Sequence, residues 1–136
     1  MGTFTLITVI ATGLMAGVFF AFSVAVMPGL ADLSSADART AMRRINARIQ
    51  NPVFLLLFVG TLVLCAGEVF RGRAVGGLLY AVGCFLVTVV INVPMNNRLD
   101  QADDAYWLAY LRRWTLWNHL RAVACTASAV TLLLGL

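Results

Sequence analysis

The sequence predicts an all-α integral membrane protein, a four-helix bundle crossing the bilayer four times, with short amphipathic interfacial helices in the loops on one side. Three observations predict it. Hydrophobic residues make up 61% of the chain and charged residues 12%, with a mean hydropathy of +0.88; a soluble domain carries about twice that charge fraction. The apolar residues gather into long runs, at about 3-27, 52-70, 74-96 and 114-136, each near the ~20 residues that a bilayer requires. The charges, apart from Glu68 and Arg121, fall in the short connections between them. Four spans and their connections use the whole length, so residues 1-136 read as one domain.

The first run carries no charge and is expected to end at Pro28-Gly29, a pair that stops helices. No basic stretch precedes it, so it reads as a retained span rather than a cleaved signal peptide. Gly13, Gly17, Ala21 and Ala25 recur every fourth residue, a stripe through which helices in lipid approach closely. Next, Ser34 and Asp37 have the spacing of a helix start, and Ala38, Met42, Ile45 and Ile49 share one face beyond it. That segment reads as a short interfacial helix, with Arg39, Arg43 and Arg48 turned toward phosphate, toward a site or simply toward solvent.

Pro52 suits the first turn of the second span, which runs to Phe70 and the tight turn Arg71-Gly72-Arg73. The third span closes in Asn92-Val-Pro94-Met-Asn96-Asn97, where Pro94 removes a backbone donor and frees a carbonyl one turn earlier. Tyr106, Trp107 and Tyr110 follow as aromatic residues of the type found at membrane interfaces. The last helix holds Trp114, Trp117, Asn118, His119 and Arg121 before an uncharged run to Leu136.

Ten arginines, no lysines and six acidic residues give a net charge of +4. The arginines lie beside apolar runs, which assigns them to the membrane surface and not to nucleic acid. Cys65, Cys84 and Cys125 all fall inside apolar runs and read as packing residues, an odd number without a disulfide framework. Glu68, the single glutamate, marks the interface opposite the polar cluster.

Depth locates that cluster. Counting about 20 residues back from Leu136 places the start of the last span near Trp117, so Arg121 lies about 6 Å inside. Asn118 and His119 then sit at the rim, and Asn92 at the same level across the loop. A buried guanidinium costs about 2.5 to 3.5 kcal/mol on insertion scales, so Arg121 either snorkels to the interface or serves an internal site. At about 100° per residue, Trp114, Trp117, Asn118 and Arg121 share one face, while His119 points about 200° from Arg121. Thr88, Asn92 and Asn96 form a matching stripe on the third span. Facing stripes make a pocket with carboxamides and a guanidinium at its polar end and indole walls; the asparagines serve equally as interhelical glue.

No metal-ligand set is present, and with a single histidine the only haem arrangement is His119 with a methionine such as Met27 or Met95. Phosphate loops, nucleophile elbows and triad spacings are missing.

The segments Asn92-Val-Pro94-Met95-Asn96-Asn97-Arg98-Leu99 and Trp114-Thr-Leu-Trp117-Asn118-His119-Leu-Arg121 resemble the two signatures of the anthrone oxygenase family of small four-span membrane proteins. Gly17-Val-Phe-Phe and Val26-Met-Pro28-Gly-Leu30 fit the same pattern, so the resemblance covers nearly the whole chain. It implies oxygenation of an anthrone or similar polycyclic phenol to a quinone, without an assigned cofactor. Such chemistry needs a base, an oxyanion stabiliser and an aromatic slot. Histidine is the side chain whose ordinary pKa lies near neutrality, which makes His119 the candidate base. Arg121 with Asn118, Asn92 or Asn96 would hold the negative oxygen, and Trp114 and Trp117 would stack on the rings.

Two functions follow from these features. One is a membrane oxygenase, or a ligand-binding relative, acting on a hydrophobic aromatic or quinone-like molecule. The other is a non-enzymatic assembly subunit, as a homo-oligomer or within a larger membrane complex, its polar residues forming a closed plug. An open pocket between the two stripes separates them. Transport is disfavoured because no span carries an acidic residue at the membrane centre. The arginines concentrate on the polar side, which puts that end in the cytoplasm and both termini outside the cell membrane.

Overall fold

The computed structural model describes all 136 residues and contains helices without a strand. Five helices form it: α1 over Thr3–Ala31, α2 over Ser35–Ile49, α3 over Pro52–Phe70, α4 over Ala74–Gln101 and α5 over Trp107–Leu133. Helices α1, α3 and α4 are long and apolar enough to cross a membrane. Helix α5 has the length, but Asn118, His119 and Arg121 interrupt its apolarity. Its outward face is nonetheless Leu116, Leu120, Val123, Val130 and Leu133. The bundle is therefore apolar outside, and Thr12, Thr61, Asn92, Asn118, Arg121 and Ser128 are among the residues buried within.

The helices pack in a ring in which α1 adjoins α3, α3 adjoins α4, α4 adjoins α5 and α5 closes back on α1 along its length. Helix α2 lies across one end. Ser34 caps it as its spacing predicts, Oγ accepting from Asp37 N at 3.2 Å, and Ala38, Met42 and Asn46 are buried beneath it. Asn51 caps α3 in the same way through Phe54 N. Arg39 and Arg43 pair with Asp104 and Asp100 at 3.5 and 3.1 Å.

Pro28 does not end its helix. Backbone bonding widens over Phe22–Val26, Met27 N donates five residues back to Phe22 O, and α1 passes through Pro28 to Ala31. Helix α4 repeats the device before Pro94: the turns widen over Ala81–Leu86 and Thr88–Asn92, and Val93 N donates to Thr88 O. A proline ring clashes with the carbonyl four residues back, and a wide turn accommodates it without breaking the helix.

The glycine stripe also differs from expectation. Gly13 and Gly17 face outward with nothing near the position of a Cβ. Close approach instead happens at Gly76, Gly77 and Gly83, where a Cβ would meet Leu132, the Cys65 carbonyl and Ala124, each at 2.5 Å. Gly72, with φ of 88°, makes the α3–α4 turn, from which Arg73 N reaches back to Glu68 O. Glu68 is buried at this end and paired with Arg73 at 3.2 Å.

Trp107 and Tyr110 are core residues here and not interfacial ones. With Met27, Leu30, Ala38, Met42, Leu99 and Trp114 they form the core under α2. Helix α2 covers that end, so the rings are withdrawn from the surface. Two turns of α5 precede Trp114, the residue at which the apolar run was expected to begin.

Candidate functional site

Between the ring of helices and the α2 cover lies a cavity of about 260 Å³ to which all five helices contribute. Phe19 and Phe22 come from α1, Ile45 and Asn46 from α2, and Phe54 and Phe58 from α3. Thr88, Asn92 and Asn96 come from α4, Trp114 and Arg121 from α5. The walls are mostly aromatic and aliphatic, with a few polar groups at one side, the composition typical of small-molecule pockets.

Arg121 is only 4% exposed, and none of the four ion pairs in the structure includes it. Its guanidinium donates to Asn118 Oδ1 at 2.9 Å and to Thr88 Oγ1 at 3.1 Å. It lies over the rings of Phe19 and Trp114, at 4.3 and 5.0 Å from their centroids. Two π faces offset part of the cost of a buried cation. Nε has no partner.

Asn118 holds the arginine in place. Its Nδ2 donates to Phe19 O at 2.8 Å and to Ser23 Oγ at 2.7 Å, tying α5 to α1 beside the wide turn. Across the cavity, Asn96 Oδ1 accepts from Tyr110 Oη at 2.7 Å and Trp114 Nε1 at 2.9 Å. Asn46 Nδ2 reaches the same tyrosine oxygen at 3.4 Å. Burial pushes the Tyr110 phenol well above its ordinary range, which keeps it a donor to Asn96.

Asn92 differs from these. It is 1% exposed and lines the cavity, and neither its amide oxygen nor its amide nitrogen has a partner. Of the six buried side-chain polar atoms without a partner, three are therefore on Asn92 and Arg121 at this cavity. The others are single atoms of Thr5, Glu68 and Thr115, away from it. Leaving a buried polar group unpaired costs about 1–3 kcal/mol, so such a concentration calls for an explanation.

Among the residues singled out in the sequence, the structure brings Asn92, Asn96, Trp114 and Arg121 to the cavity, with Asn118 directly behind Arg121. His119 and Trp117 do not line it. His119 is exposed, with Nδ1 2.8 Å from Ser23 Oγ, in a separate outward groove with Met27, Pro28 and Thr115. Trp117 is half-buried elsewhere on α5. The lining contains no histidine, cysteine or carboxylate, and no group of three or more such side chains in the structure is arranged to hold a metal ion.

Sequence reasoning missed Phe19, Phe22, Phe54 and Phe58, which nothing distinguishes from ordinary span residues. It also missed Asn46 and Ser23. Asn46 falls four residues after Met42 on the buried face of α2, and a carboxamide at an apolar position was a usable signal.

The sequence model of one protein family, described as anthrone oxygenase, matches residues 39–131. No curated protein and no solved structure matches the chain. The matched segment takes in α2 through most of α5 and so every cavity residue outside α1.

Proposed function

Since the chain belongs to the anthrone oxygenase family, we propose that it is a four-span membrane protein that binds a planar aromatic or quinone-like molecule in this cavity and oxygenates it. The observation that carries the reading is the open pair of Asn92 and Arg121: a buried carboxamide and a guanidinium Nε, without protein partners, beside aromatic walls. Oxygen atoms on the ligand would complete both. Phe19, Phe22, Phe58 and Trp114 would hold the rings, and the apolar walls would admit the ligand from the bilayer.

In the reaction a ring methylene carbon gains one atom of dioxygen as a carbonyl, and the other atom leaves as water with the two methylene hydrogens. The substrate itself supplies the electrons, through the carbanion or enolate formed when the methylene loses a proton. Arg121 and Asn92 stabilise the negative oxygen of that enolate. Asn118 and Thr88 fix the guanidinium, and the Asn96 network fixes Trp114. The apolar outward face of α5 supports the fourth crossing.

The alternative, a non-enzymatic assembly subunit, draws on the outward Gly13 and Gly17, which leave room for another helix. One experiment separates the two. Detergent-purified protein is mixed with anthrone, and oxygen uptake and quinone absorbance are followed for wild type, Arg121→Ala and Asn96→Ala. Oxygen consumed in step with quinone by wild type, and reduced at least tenfold in Arg121→Ala, is expected. No uptake above the protein-free rate, and no aromatic retained in native mass spectra, would move the assignment to the assembly subunit.

A further inference from the structure

Resting on that reading of the cavity, we propose that the site selects its ligand already ionised, as an aromatic phenolate or enolate, and does not generate the anion with a base of its own. The charge arrangement carries this. Arg121 is a buried cation, and the titratable groups that face it are the thiols of Cys84 on α4 and Cys125 on α5 and the phenol of Tyr110, with no carboxylate among them. Helices α1, α2 and α3 present only Phe19, Ile45, Asn46, Phe54 and similar uncharged side chains to the cavity.

A site built to deprotonate a neutral ligand needs an acceptor for the proton within hydrogen-bond reach. Here the one histidine is on the outer side of α5, and the six carboxylates are absent from the lining. A site built to bind a neutral ligand would have no use for an unpaired cation in an apolar chamber, where a charge without a counterion is most costly. An ionised ring oxygen resolves both: it supplies the missing counter-charge to Arg121, and the unpartnered Arg121 Nε and Asn92 carboxamide are the groups that a small side-chain rotation would bring to it and to a hydroxyl on the same ring system.

The test uses 4-nitro-1-naphthol, whose absorbance reports its ionisation, and its methyl ether, which has the same rings and cannot ionise. Both are titrated against the detergent-solubilised protein by equilibrium dialysis across the pKa of the free dye. The phenolate is expected to bind at least tenfold more tightly than either the protonated dye or the ether, so that the bound dye ionises at least one pH unit below the free dye. Arg121→Gln should abolish that shift, and Asn92→Leu, which leaves the helix contacts of Arg121 intact, should weaken phenolate binding while sparing the ether. Ether and dye binding equally, with an unshifted pKa, would overturn the ionised-ligand inference and leave the aromatic cavity standing. Binding of neither would remove the cavity reading and this inference with it.

Discussion

Around Tyr80 the helices meet through glycine: Gly77 of α4 lies against the Cys65 carbonyl of α3, Gly76 against Leu132, and Gly83 against Ala124. Tyr80 Oη donates to Phe58 O at 2.8 Å and Ser128 Oγ to Gly76 O at 2.7 Å, so the hydroxyls are used in joining helices. Around Arg121, by contrast, the helices and the α2 cover enclose a cavity, two prolines are preceded by widened turns, and three buried polar atoms have no partner. The first half is organised as a tight helix junction. The second leaves polar capacity unused around an open chamber, and that difference separates scaffold from site more clearly than any residue type does.

The contrast can be broken by substitution. Its largest expected consequence is at Gly77→Ala, where a Cβ would sit 2.5 Å from backbone that cannot move aside. A stability loss of about 3 kcal/mol, the upper end of overpacking costs, is expected in thermal melts followed by circular dichroism in detergent. Wild-type melting there would mean that α3 and α4 are not closely packed. Asn96→Leu should cost about 2 kcal/mol, because it strips the shared acceptor from Tyr110 and Trp114 and leaves two donors buried. Asn92→Leu sharpens the comparison most, although its effect is smallest. It replaces a carboxamide that has no partners with a similar apolar volume, so ligand-free stability should stay within about 0.5 kcal/mol of wild type or rise. A loss comparable to that at Asn96 would show Asn92 to be structural, and the distinction between the halves would fail.

Much of this was legible in the sequence because depth and helical angle are simple functions of position. Asn92, Asn96, Trp114 and Arg121 could be placed near one another by counting along two spans, and Ser34 and Pro52 announced where α2 and α3 begin, whereas the cap at Asn51 came from the structure. What counting could not supply was anything that depends on the third dimension of an apolar surface. Gly13 and Gly17 look as suited to close packing as Gly76 and Gly77, and only the neighbouring helix decides which pair is used. Pro28 looked like a terminus because one-dimensional rules treat proline as a stop, whereas a helix held by neighbours along its length can widen and continue. Trp107 and Tyr110 were assigned to the interface by residue type, before it was evident that α2 folds over them. His119 drew attention for its chemistry, yet it stands outside the chamber.

Trp107 and Trp114 belong to one core cluster and the three cysteines to the other. Trp107, Trp114 and Trp117, all three tryptophans, belong to the stretch of α5 nearest α2, while Cys65, Cys84 and Cys125 are buried free thiols, one each on α3, α4 and α5. The chain thus carries two intrinsic reporters: indole emission follows the end that α2 covers, and capture of thiols by a fluorogenic maleimide follows separation of α3, α4 and α5 between Arg121 and the α3–α4 turn. Coincident transitions would describe one cooperative unit, and emission changing before the thiols react would describe an end that opens while the rest holds. If the chamber takes up a rigid polycyclic guest from the bilayer, as proposed, it has reason to be the part that loosens first.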